Sequence, residues 1–136
     1  MGIKEKLEKA GIDPFGGDCM CVAGAIQKIV DPRTTQSEVL CIKKDPYGRI
    51  GHCMFHLYGD EYHYDADGEH DWEESMGKFD DYTEDCYGQL EEDSCWETMS
   101  YDDEFSMRKY CGDKIDKVEN IILNNPPEWL NKLKIG

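Results

Sequence analysis

The chain has 136 residues, with 30 acidic against 15 basic side chains and a net charge of −15. This is the length of one ordinary domain, and the first ten residues lack the uninterrupted apolar stretch of a signal peptide or a membrane span. We therefore expect one soluble, cytoplasmic domain over residues 1–136.

The first part of the chain predicts two helices. Residues 2–10 have the pattern of a short helix closed by Gly11. Asp18 is a suitable N-cap for a second helix, in which apolar and small side chains recur from Cys19 to Val30 as one stripe. Asp31-Pro32 ends that helix, because the residue before proline disfavours helical backbone.

A small antiparallel sheet is predicted next. The β-rich run Glu38–Lys43 is followed by the alternating segment Ile50–Tyr58 and by Glu61–Asp65. Gly59-Asp60 fits the two-residue turn of a hairpin between the last two strands.

The second half is less regular. We expect a short helix over Asp71–Phe79 and an irregular stretch over Asp80–Met99. Ser100, with an acidic residue three positions later, predicts a capped helix to about Leu123, and Glu128–Lys134 predicts a last short helix.

The acidic charge is concentrated in residues 60–104, which hold 19 of the 30 acidic side chains and one basic residue, Lys78. Such a field repels nucleic acid and anionic lipid and favours cationic partners. We expect no binding to nucleic acid or membranes. A solvated surface that serves solubility alone is the other interpretation of this run.

Seven cysteines are present, an odd number in a chain that is not a mini-protein. Free thiols in a reducing compartment fit this number better than a disulfide framework. Either a nucleophilic thiolate or a soft-metal site could use them.

Cys19 is the candidate nucleophile, because the first turn of a helix stabilises a thiolate through its unpaired amides and its macrodipole. The neighbouring charge of Asp18 opposes ionisation unless that carboxylate caps the helix. In the simpler alternative, Cys19 is a small buried apolar residue.

The hairpin supplies the base. Counting outward from the turn places His52 opposite Asp67 and diagonal to Asp65 on the same face. A carboxylate beside an imidazole fixes its tautomer and stabilises its charged form. His56 shares the face of His52 and is the alternative base, with Asp67 as the alternative acid. The two remaining histidines are expected at the surface: His63 and His70.

Three motifs occur in one order: Gly17-Asp18-Cys19 at the head of a helix, then Gly51-His52-Cys53-Met54-Phe55, then Tyr64-Asp65. Over residues 15–70 this order resembles the papain/transglutaminase-like superfamily, particularly its small phage and bacterial members. The resemblance implies an α+β, papain-like fold, with a helix packed on a small antiparallel sheet, a catalytic core over residues 15–70 and additional C-terminal helices over residues 100–134.

The resemblance also implies a function. Cys19 would be the nucleophile, His52 the general base and Asp65 the orienting acid of a hydrolase or acyltransferase. The reaction would cleave an amide, isopeptide, ester or thioester bond, with no organic cofactor and no metal. The substrate would be a peptide or protein, basic ones being favoured by the acidic surface. A phage-encoded member would act in the cytoplasm of its host.

Metal sites are two further alternatives. Cys19, Cys21, His52 and Cys53 include soft ligands for zinc, although their spacing is unlike that of structural zinc sites. The segment 65–74 matches the late part of a calcium-binding loop, but a histidine occupies the position of the first ligand.

The last alternative is a protein without catalysis. An acidic interaction protein, such as a phage-type inhibitor, would place residues 60–104 in a basic groove of its partner. Its cysteines would then be buried structural residues.

Overall fold

The computed structural model describes residues 2–14, 17–43, 50–71, 96–103 and 107–133. The fold is α+β, with an open antiparallel sheet of five strands and several helices, so the predicted class is confirmed. The elements are α1 (Ile3–Lys9), α2 (Cys19–Val30), β1 (Ser37–Lys43), β2 (Ile50–Leu57), β3 (His63–Asp65), β4 (Gly68–His70), β5 (Trp96–Met99), α3 (Met107–Cys111), α4 (Lys114–Asn124) and α5 (Glu128–Leu133). Within the described ranges, no helix has the length and apolar character needed to cross a bilayer.

The sheet has the strand order β4-β3-β2-β1-β5, so β1 and β2 are its interior strands together with β3. The β2–β3 hairpin has the predicted register, because Phe55 pairs with Tyr64. Its connection is longer than two residues, and β3 begins at His63. Asp60 organises this connection: its backbone N–H donates to the Leu57 carbonyl, and its carboxylate accepts hydrogen bonds from Tyr62 and Tyr64.

Helix α2 is the centre of the core. Ten of its 12 residues are buried, because the helix packs on β1, β2 and β3 and is also covered by α3 and α4. A helix that is apolar on all sides suits this position. Gly24 permits the close approach of α3, since a Cβ at this position would lie 2.5 Å from the sulfur of Met107.

The predicted helix from Ser100 to Leu123 is wrong. Residues 100–103 form a turn, in which the Asp103 N–H donates to the Ser100 carbonyl. Two shorter helices follow, and Gly112 separates them with a φ of +53°.

The predictions for residues 71–99 have mixed outcomes. The irregular stretch expected up to Met99 ends instead in a strand, β5, which pairs with β1. The helix predicted over Asp71–Phe79 lies outside the described residues, apart from Asp71 itself.

Candidate active site

The three predicted site residues meet at one end of the sheet. Cys19 is the first residue of α2, His52 lies on β2, and Asp65 is the last residue of β3. The Nε2 atom of His52 lies 2.8 Å from Oδ2 of Asp65, and Cys19 and His52 are close enough for each to shift the pKa of the other. All three are buried, with exposed fractions of 5%, 0% and 2% in that order.

The environment of Cys19 favours its thiolate. A hydrogen bond from the Cys53 thiol is the largest influence, burial acts against it, and the hydrogen bond and charge of His52 assist. Together they lower the pKa of Cys19 to about 5. The thiol is therefore ionised at neutral pH.

His52 has the complementary shift. Burial alone lowers the pKa of an imidazole, but the hydrogen bonds and charges of Asp65 and Cys19 outweigh it and raise the pKa of His52 above its ordinary value. Because Cys19 loses its proton at a lower pH than His52 does, the two form a thiolate–imidazolium pair between their pKa values.

Asp65 holds two histidines. Its Oδ2 faces His52, while Oδ1 lies 2.8 Å from Nε2 of His70 and accepts the backbone N–H of Asp67 at 2.9 Å. The latter bond belongs to the β3–β4 turn, where Gly68 has a φ of +115°. The carboxylate is thus fixed from both sides.

The surface position expected for His70 is wrong, since His70 is buried. It lies on β4, which folds back beside β3 and brings the imidazole to Asp65. The turn before this strand is Ala66-Asp67, and Gly68 follows it with a positive φ; the calcium interpretation instead took these residues as part of a metal loop.

Cys53 was not assigned a role from the sequence, because strand alternation places it on the face opposite His52. Both side chains nevertheless act on Cys19. Cys53 belongs to the same buried apolar cluster as Cys19, on the face of the sheet that packs against α2.

Asp18 occupies the N-cap position of α2 without making a side-chain cap hydrogen bond. Its carboxylate instead accepts the backbone N–H of Asp13 at 2.9 Å and the Lys114 ammonium at 2.7 Å. Burial of Asp18 acts to raise its carboxyl pKa, but these partners lower it overall. The ion pair offsets the charge that would otherwise oppose the Cys19 thiolate.

The alternative residues lie elsewhere. His56 contacts Glu38 through Nδ1 and the Asp60 carbonyl through Nε2, both at 3.1 Å. Its ring stacks on His63, which is buried rather than at the surface, and burial followed by the charge of His56 lowers the pKa of His63 to about 4. The Asp67 side chain is 43% exposed and faces Lys4.

In the part of the chain that the structure describes, no group of three or more His, Cys, Asp or Glu side chains could hold a metal ion. Of the zinc candidates, Cys21 hydrogen-bonds with Cys111. Both carboxylate oxygens of Asp65, the calcium candidate, accept other hydrogen bonds, and Glu74 lies outside the described residues.

No family model, curated protein or solved structure matches this chain.

Proposed function

We propose that this chain is a thiol-dependent hydrolase or acyltransferase that acts on an amide, isopeptide, ester or thioester bond. The observation that carries the proposal is that Cys19, at the head of α2, lies beside His52, whose Nε2 is 2.8 Å from the Asp65 carboxylate. A thiol with a pKa of about 5 next to an imidazole with a raised pKa is an activated nucleophile paired with an acid.

In the first step, the Cys19 thiolate attacks the substrate carbonyl carbon, and the carbonyl oxygen takes the negative charge. The backbone N–H of Cys19 can donate to this oxygen, since the first amides of a helix have no intrahelical acceptor. His52 gives its proton to the leaving amine, alkoxide or thiolate, and an acyl-enzyme remains.

In the second step, His52 takes a proton from water or from an acceptor amine, which then attacks the thioester and releases Cys19. Asp65 stabilises the imidazolium in both steps and keeps Nε2 engaged, so that Nδ1 is the ring nitrogen that exchanges protons at the site. Asp65 acts through its negative charge, and its carboxylate does not take up a proton in either step.

We also propose that the architecture is papain-like, of the type found in small phage and bacterial members. Its support is the order of the parts: a cysteine heads a buried helix, and an antiparallel sheet packed on that helix carries the histidine and the acid. A cytoplasmic location and a phage-like origin remain parts of this proposal.

A peptide or protein is the proposed substrate class, with basic sequences favoured by the net charge of −15. The exposed ring of Tyr110 borders the head of α2, where its hydroxyl donates to the Gly17 carbonyl at 3.1 Å. An exposed aromatic side chain beside a nucleophile offers an apolar contact for an extended substrate.

A second candidate function is supported by the burial of the site. Cys19 is 5% exposed and His52 is fully buried, so a substrate needs neighbouring chain to move before it reaches the thiol. A non-catalytic acidic protein that binds a basic partner surface would not need this access.

Alkylation of the native protein with iodoacetamide at pH 6, followed by peptide mapping, tests the catalytic proposal. We expect Cys19 to react selectively, while Cys21 in the same helix does not, because its thiol hydrogen-bonds with Cys111 and its pKa is raised. In His52→Ala the alkylation of Cys19 should slow, because the pKa of Cys19 rises, and in His56→Ala it should keep the wild-type rate. Equal labelling of Cys19 and Cys21 contradicts the proposal.

The two functions are separated by Cys19→Ala. The hydrolase loses all turnover of peptide and ester substrates with its fold retained, as judged by circular dichroism. A binding protein keeps its affinity for its basic partner in the same variant.

A further inference from the structure

Three thiols lie in one buried cluster: Cys19, Cys53 and Cys41. Cys53 is the largest influence on the Cys19 thiol, and it donates to Cys41, with the two Sγ atoms 3.0 Å apart. All three cysteines are free and buried. Cys41 and Cys53 are direct partners across β1 and β2, where opposite residues have Cα atoms within the range that a disulfide requires.

We propose that Cys19 is a peroxide-reactive thiol whose oxidised form is resolved by Cys53 and passed to Cys41, which leaves a Cys41–Cys53 disulfide and a reduced Cys19. This inference shares the Cys19 thiolate with the proposed function and otherwise concerns a separate chemistry. The oxidant is a hydroperoxide, a molecule small enough to reach a thiol that is 5% exposed.

The steps balance. The Cys19 thiolate attacks the outer peroxide oxygen, the O–O bond breaks, and one proton yields Cys19 sulfenic acid and an alcohol or water. The Cys53 thiol attacks the Cys19 sulfur, an S–S bond forms, and the sulfenic hydroxyl leaves as water. The Cys41 thiol then attacks the Cys53 sulfur and Cys19 leaves as a thiol. In total, one peroxide is reduced by two electrons and two thiols become one disulfide.

The order of the steps follows from accessibility and ionisation. Cys41 and Cys53 are at most 1% exposed, and burial, followed by hydrogen bonds with Cys19 and Cys41, raises the pKa of Cys53 well above its ordinary value. Neither thiol is suited to meet peroxide first. Cys19 is ionised and nearer to solvent, so oxidation enters there and moves inward through contacts already present.

The relay also affects the site. Once Cys53 is in a disulfide, it no longer has an S–H to donate to the Cys19 thiolate. The largest influence that lowers the Cys19 pKa is then lost. Oxidation of the buried pair should therefore weaken the nucleophile without modifying it.

The test is treatment of the reduced, full-length protein with stoichiometric hydrogen peroxide, followed by blocking of thiols and non-reducing peptide mass spectrometry. We expect a Cys41–Cys53 disulfide as the end product. Cys41→Ser should stop at a Cys19–Cys53 disulfide, and Cys19→Ser should form neither at the same peroxide concentration. The contacting pair Cys21 and Cys111 is the internal control and should stay reduced.

Three results would overturn the relay: a Cys41–Cys53 disulfide that forms equally fast in Cys19→Ser, Cys19 oxidised to sulfinic acid with Cys53 still reduced, or a disulfide from Cys19 to any other cysteine. The last two of these results are read from wild-type protein, so the test does not depend on whether a variant folds. Alkylation of Cys19 that depends on His52, found together with one of these results, would refute the relay and leave the proposed function standing. If the Cys41–Cys53 disulfide forms as expected but alkylation of Cys19 does not depend on His52, the relay stands and the proposed function is refuted.

Discussion

Replacement of Cys53 by alanine tests whether a neighbouring thiol, and not the helix alone, ionises Cys19. A hydrogen bond to a charged group contributes about 1.5–3 kcal/mol, and one pKa unit corresponds to about 1.4 kcal/mol. Because S–H is a weak donor, the lower limit applies, and the pKa of Cys19 should rise by about 1 unit. From the wild-type value of about 5, this gives about 6.

The higher pKa of Cys19 in Cys53→Ala slows its alkylation only at acidic pH. At pH 5.5 the thiolate fraction falls from about three quarters to about one quarter when the pKa rises by about 1 unit, so alkylation slows about 3-fold. At pH 8 Cys19 is fully ionised in both proteins, and the rates should agree. The measurement is the second-order rate of iodoacetamide reaction at Cys19 from pH 4 to pH 9.

Two variants control this experiment. Cys53→Ser retains a hydroxyl donor and should keep the wild-type profile, while Cys41→Ala removes the next thiol without touching Cys19 and should also leave it unchanged. Superimposable profiles for wild type and Cys53→Ala would refute the assigned role of Cys53. So would an equal shift in Cys41→Ala.

Further predictions concern the rest of the site and the core. Asp65→Asn removes the charge that stabilises the His52 imidazolium, so the pKa of His52, followed by NMR titration, should fall. His70→Leu leaves a buried Asp65 oxygen short of a donor and should lower the free energy of unfolding in urea by about 1–3 kcal/mol, whereas His70→Gln, which retains an N–H, should lose less. Gln27→Leu abolishes two buried hydrogen bonds and should cost about 1–3 kcal/mol in the same assay.

The features that the sequence predicted are those set by local periodicity. The stripe that begins at Cys19 defines α2, and the alternation in β2 defines the face of His52. One short turn at Gly59-Asp60 then sets the register with β3, because each residue of a hairpin is counted from its turn. This combination predicts that His52 lies near Asp65, whereas only the family resemblance predicts Cys19 beside them.

The features that were missed depend on distant or irregular structure. Strand β5 pairs with β1 as Met99 opposite Val39, and its Glu97 and Thr98 are exposed, so it has no apolar alternation to announce it. Gly112 was included in a helix because its neighbours are periodic, yet its positive φ ends α3. Tertiary packing decides both cases.

In the site itself, the missed residues are Cys53 and His70. Cys53 was set aside because alternation places it opposite His52, yet this is the face that packs against α2, where Cys19 lies. His70 was set aside because β4 has three residues, too few for a periodic signal. Both act through residues that were identified, Cys53 on Cys19 and His70 on Asp65.

The energetics of the cluster favour a chemical role over a structural one. A buried thiolate–imidazolium pair gives up the solvation of two charges, and replacing such a pair with apolar side chains is often neutral or stabilising. Packing alone would therefore not require Cys19 and His52 to be charged at neutral pH. The fold nevertheless surrounds the pair with further polar partners: a thiol donor on Cys19, a carboxylate on His52 and a second imidazole on that carboxylate. A reactive thiolate at neutral pH needs this arrangement, because each partner stabilises the charge that would otherwise be neutralised by burial.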